Sequence, residues 1–154
     1  MLDFDVRGFK IVLDRLDAAV GEIDDLEDFF GDPAVKVMQR VFSLIFRGQG
    51  ATRYTRQWAP LARSTIAQRS RRGRRVRILW DTGRLRASYV RTPSIEVTKR
   101  YLKIWSDVPY ARFHETGTSR MPARPVIGYA HVVAPRRLQT ALNKYLRKKL
   151  NADN

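Results

Sequence analysis

Hydrophobic and polar positions change rhythm several times along the chain, and each rhythm predicts an element. Leu2, Phe4 and Val6 alternate with Asp3, Asp5 and Arg7, the period of a strand with one buried face, and Gly8 breaks it. Phe9, Val12, Leu16, Ala19, Ile23, Leu26 and Phe30 then recur at spacings of three and four, which places them on one helical stripe. The acids Asp14, Asp17, Glu22, Asp24, Asp25 and Asp28 fall mostly off that stripe. Asp32-Pro33 has the form of an N-cap followed by proline at the first helical position. A second helix is therefore predicted to run to about Phe46, with Val37, Val41, Leu44 and Ile45 inward and Gly48 and Gly50 at its end.

Past Gly50 the periods shorten. Trp58 and Leu61 bracket Pro60, an extended or turning segment that feeds a short helix. Asp81 is placed to cap one or two helical turns presenting Leu85 and Tyr89. Ile95 and Val97, then Leu102 and Ile104, alternate with other residues in two strands joined tightly at Lys99-Arg100, with Tyr101 and Trp105 on the second face. Tyr110 to Thr116 reads as one helical turn ended by Gly117, and Pro122 and Pro125 stiffen an extended segment. Pro135 opens a last helix with Leu138, Leu142, Tyr145 and Leu146 inward and Arg136, Arg137, Lys144, Arg147 and Lys148 mostly outward. Together these elements predict one α+β domain over residues 1–154, a small antiparallel sheet flanked by N-terminal and C-terminal helices.

Composition narrows the classes. The 154 residues suit a single core, and the absence of cysteine excludes a disulfide framework and fits a reducing cytosol. The first residues lack a basic stretch followed by an apolar one, so no secretory signal is expected, and no window is long and apolar enough to cross a bilayer. A soluble chain with no membrane contact is the expectation. Charge is uneven: residues 1–32 carry ten acids and three bases, net −7, whereas residues 33–154 carry net +22, giving +15 for the whole. Such an imbalance repels like copies unless an anion compensates. Nucleic acid would serve, and so would the acidic N-terminal part of a neighbouring copy.

Candidate chemistry is sparse. Six arginines, Arg69, Arg71, Arg72, Arg74, Arg75 and Arg77, surround Gly73; their mutual repulsion predicts a mobile basic loop over 69–77 that meets an anionic partner without reading bases. His114-Glu115 begins like half of a zinc-protease motif, but Thr118 stands where the second histidine is needed and His131 is the only other histidine. Neither a metal nor any other cofactor is expected. Ser64, Ser70, Ser88 and Ser119 sit in no nucleophile-elbow pattern, and no phosphate-cradling loop ends in Gly-Lys-Ser or Gly-Lys-Thr. Asp107 and Glu115 are read as a turn residue and a helix-end ion-pair partner rather than as an acid/base pair. No catalytic residue is assigned. Pro122 and Pro125 are expected to hold Arg124 outward, fit for a bidentate pair with a carboxylate at a subunit interface.

Four groups of residues occur in a familiar order. They are Trp58-x-Pro60-Leu61; Ile78-Leu79 with Thr82-Gly83-Arg84-Leu85; Tyr110-Ala111-x-x-His114-Glu115-x-Gly117; and Pro122-Ala123-Arg124-Pro125-x-x-Gly128. This succession resembles the tailed-phage virion morphogenesis, or tail completion, family, and Glu115-x-Gly117-Thr118 is similar to the related head–tail joining proteins. The resemblance covers about residues 55–128. It departs from the family at Val126, where an aromatic often stands, and in the charge density of 69–77. It implies a non-enzymatic virion component at the neck or tail end, assembled in the host cytoplasm, forming a homo-oligomeric ring and touching adjacent neck or tail proteins. It also implies that Trp58, Pro60, Leu61, Gly83, Leu85, Tyr110 and Ala111 serve the fold or the subunit interface, as do His114, Glu115, Gly117, Pro122, Arg124 and Pro125. The arginine run would then face DNA in the channel. A different class remains open: a monomeric module that binds nucleic acid non-specifically through Arg69–Arg77.

Overall fold

Residues 8–12 and 26–152 are described by the computed structural model of the chain. The strand expected over Leu2–Val6, and the part of the hydrophobic helical stripe and its flanking acids in residues 13–25, lie outside the described residues. The rest is α+β, built on a three-stranded antiparallel sheet in the order β1-β3-β2.

The central strand β3 (Tyr101–Trp105) alternates in burial, with Leu102 and Ile104 fully enclosed. It pairs with β2 (Ser94–Val97) from Ser94 opposite Trp105 to Val97 opposite Leu102. These are the two strands expected on either side of Lys99-Arg100, but β2 does not alternate in burial and Ile95 is exposed. On its other edge lies β1 (Gly8–Val12), paired from Gly8 opposite Trp105 to Val12 opposite Tyr101. This corrects the sequence reading at Gly8, Phe9 and Val12, which were expected to break a strand and begin a helix. A spacing of three positions cannot by itself separate the two periods, and pairing with β3 decides for the strand.

Helix α1 (Glu27–Phe29) runs into a π-helical turn, Phe30–Ala34, and on into α2 (Val35–Arg47). Asp32-Pro33 is thus not a helix start, another correction. Phe29 and Phe30 are buried, so the core holds the preceding turn in helical phase, and the wider π turn carries Pro33, which has no N–H to donate. Asp32 instead pairs with Lys36 at 2.7 Å. Met38, Val41, Phe42, Ile45 and Phe46 form the buried face of α2, with Val37 and Leu44 partly buried beside them. Each large side chain so enclosed contributes about 1.5–3 kcal/mol relative to exposure.

That face packs on α4 (Arg84–Val90) and α6 (Ile127–Ala152). Tyr89 of α4 meets the rings of Phe42 and Phe46 at 5.1 and 6.2 Å, and Tyr145 of α6 meets Phe29 at 5.6 Å. Leu85 and Tyr89 are buried as predicted, but the residue capping α4 is Gly83 rather than Asp81. Helix α6 begins at Ile127, eight residues before the expected start, and passes through Pro135. Its inward residues include Leu138 and Leu142, as the period requires. Between these elements lie α3 (Arg63–Arg71), which buries none of its side chains, and α5 (Ala111–Thr116), ended by Gly117. Among the described residues, no helix is long and apolar enough to cross a membrane.

Candidate functional site

The segments singled out in the sequence meet at one place. Trp58, 3% exposed, donates its indole N–H to the carbonyl of Pro125 at 3.0 Å. Arg124 returns the bond: its Nε donates to Ala59 O at 3.0 Å and its Nη2 to Pro60 O at 2.9 Å. Its backbone N–H reaches the carbonyl of His114 at 2.6 Å. At 6% exposure Arg124 points inward, which corrects the expectation that it is held outward for a partner's carboxylate. Burial, and then the charge of Arg69, lower its pKa. Carbonyl oxygens of the Pro60 segment satisfy the fork that a carboxylate was expected to fill.

Glu115 has a role that sequence reasoning missed. Its Oε1 accepts the backbone N–H groups of Val126 and Ile127 at 2.7 and 2.8 Å, and its Oε2 that of Gly128 at 3.3 Å. The N-terminus of α6 is therefore capped by a carboxylate from α5, at the end where the helix dipole favours negative charge. This replaces the helix-end ion pair expected for Glu115. Burial raises the Glu115 pKa, and the three N–H groups oppose that rise without cancelling it. Asp107 is engaged elsewhere, accepting from Ser94 Oγ and from Trp105 Nε1, so the two carboxylates do not form a pair.

Two glycines make the clamp geometrically possible. Gly117 has φ 74° and ψ −178°, a region closed to other residues, and a Cβ there would stand 2.8 Å from Ala123 N. The chain then reverses through a Thr118–Met121 bridge. Gly50 has φ +90° and lies against the Trp58 ring, where a Cβ would stand 2.7 Å from Cδ1. His114 is half-buried, and its Nδ1 is buried without a hydrogen-bond partner. Burial, and then the charge of Arg124, lower its pKa. Among the described residues no group of histidines, cysteines and carboxylates could hold a metal ion.

A cleft of about 830 Å³ opens beside the clamp. Pro60 and Leu61 line it on one side, Gly83 and Leu85 on another. Tyr110, His114, Pro122 and Arg124 complete the wall. Eight of the thirteen positions assigned from the resemblance thus surround one space. Ala111, buried on α5, Gly117, Glu115, Trp58 and Pro125 belong to the packing that holds it.

The arginine run is less free than expected. Arg69 and Arg71 belong to α3, and only Arg72 to Arg77 follow it. Arg69 donates to Arg77 O at 2.8 Å and lies 3.7 Å from Asp81, while Arg74 reaches Asp81 at 3.1 Å. Arg77 donates to Arg47 O, the last residue of α2. The basic loop is thus stitched to its surroundings at Arg69, Arg74 and Arg77, whereas Arg71, Arg72 and Arg75 stay exposed. The sequence did not mark Trp80 or Arg86 as part of this region. The signal was there to find, a tryptophan between two basic stretches.

No family model, curated protein or solved structure matches this chain.

Proposed function

We propose that this chain is a structural protein of the tailed-phage neck or tail end, a subunit of an oligomeric ring that completes the tail or joins head to tail. One observation carries the reading. Residues of four separated segments, chosen for their order along the sequence, surround one cleft and its clamp. Three of their polar side chains are spent on backbone partners inside the chain: Trp58 on Pro125, Arg124 on Ala59 and Pro60, and Glu115 on the start of α6. Groups engaged this way fix a shape and are not poised for turnover.

The surface next to the clamp supports assembly. Tyr110 and Phe113 on and beside α5 are about two-fifths exposed, and α3 projects without a buried side chain. Aromatic residues presented on rigid elements are favoured anchors between subunits. The partners in this reading are further copies and the adjacent neck or tail proteins, and the location is the virion, reached from the host cytoplasm.

Electron microscopy of the purified chain, and of the chain mixed with other proteins of its virion, tests the proposal. Closed rings with a central opening support it. Globular particles of monomer size in every mixture would remove it.

A further inference from the structure

Trp80 lies between α3 and α4 with three guanidinium groups around its indole. The Arg75, Arg77 and Arg86 carbons stand 5.4, 4.9 and 4.7 Å from the ring. Two of these arginines come from the segment after α3 and the third from α4, so the tryptophan gathers charge from two parts of the chain. Arg74, Arg84 and Arg91, all exposed, join Trp80, Arg75 and Arg86 around a surface basin of about 880 Å³. Asp81 is the one acid lining it, and Arg74 and Arg69 already engage that carboxylate.

We propose that this Trp80-centred arginine basin holds the phosphate backbone of nucleic acid without reading its sequence. Like charges gathered at one ring repel, and the ring's negative faces offset only part of that. A polyanion supplies the missing counter-charge and releases its own condensed cations on contact. Stacking on Trp80 holds the guanidinium groups in place, so less side-chain freedom is lost when phosphates arrive. With arginines around the ring, Trp80 is already engaged and is no platform for bases. Helix α4, of seven residues, is not presented as a groove-reading element. A folded acidic protein is the poorer occupant, because Trp80, the one large apolar side chain in the lining, is already covered by guanidinium groups, and Ala87 is too small to anchor a partner. The inference does not rest on ring formation: a DNA-binding monomer satisfies it, and a ring indifferent to DNA overturns it while leaving the ring standing.

The test is fluorescence anisotropy of labelled 20-base-pair duplexes of two unrelated sequences with the full chain, across a sodium chloride series, with polyglutamate as competitor. Both duplexes are expected to bind alike and to weaken roughly 100-fold between 50 and 200 mM salt, the dependence of about four phosphate contacts. Arg84→Ala, Arg86→Ala and Arg91→Ala should each lower the log–log salt slope by about one, whereas Arg147→Ala on α6 should not. Trp80→Ala should weaken binding about tenfold and Trp80→Phe should restore most of it. If Trp80→Ala does not fold, the exposed Arg84 and Arg91 variants decide. Absence of binding at 50 mM salt would overturn the proposal. So would strong preference for one sequence, displacement by polyglutamate at equal charge, or binding unchanged in all three arginine variants.

Discussion

The Oε1 atom of Glu115 accepts the backbone N–H of Ile127 at 2.8 Å, so the first residue of α6 is held by the last turn of α5. Glu115→Ala would leave Val126, Ile127 and Gly128 without their acceptor, and a loss of about 2 kcal/mol in urea unfolding is expected. Glu115→Gln keeps a carbonyl oxygen where Val126 and Ile127 converge and should cost clearly less. Equal losses in the two variants would contradict the capping role.

The same carboxyl sets a direction with pH. Its pKa is raised in the folded chain, first by burial, above the ordinary 4.5. Protonation therefore favours the folded state. The contribution is full below 4.5 and is lost as pH rises through the folded value. The wild type should lose stability relative to Glu115→Gln on moving upward from pH 4.5. Unfolding midpoints of the pair at several pH values check this, and a constant difference would refute it.

His114 and His131 act in the opposite sense. Burial lowers both below 6.5, and the charge of Arg124 adds to the effect at His114. Their stability contribution is present above 6.5 and is lost as pH falls through the lowered folded values. Melting temperature should fall on acidification below pH 6.5, and His114→Gln should remove part of that fall while His131 retains the rest. An unchanged acid profile in His114→Gln would count against the assignment.

Gly117→Ala should destabilise the chain by at least about 2 kcal/mol. The residue would have to hold φ 74° and ψ −178° with its Cβ 2.8 Å from Ala123 N and 2.9 Å from Met121 O. A melting temperature within a degree of the wild type would show that the turn relaxes at no cost.

Trp58 and Arg124 close one clamp from opposite sides, so their losses should not add. Trp58→Phe leaves Pro125 O without its donor at a cost of about 1–2 kcal/mol, and Arg124→Met strands the Ala59 and Pro60 carbonyls at a cost of about 2–3 kcal/mol. The double variant should lose less than the sum by 0.5 kcal/mol or more, on the order found for coupled neighbours. Strict additivity in a double-mutant cycle would mean that the two bonds act independently.

Legibility in the sequence followed range. The burial of Val41, Ile45, Leu102 and Ile104 could be read from local period, because each element must turn one face to the core. Pro33 and Pro135 misled: each has the form of a helix start, yet neighbours packed on either side keep the helix running through it. Arg124 is expected outward from its neighbours alone, because Pro122 and Pro125 stiffen the segment that carries it. The carbonyls that satisfy it lie 64 and 65 residues away, where no periodicity reports them. Glu115 was misassigned for the same reason, since its partners begin eleven residues later across a reversal. The arginine run was legible as charge, and Trp80 between two basic stretches was a signal in the sequence; that Arg86 reaches its ring from a different element was not.

Absolute mass in solution by light scattering, at low and high salt and without DNA, tests the central proposal most directly. A subunit of a ring is expected to give one discrete multimer that survives without DNA. A monomer at every salt and protein concentration, also in the presence of its virion neighbours, would contradict it.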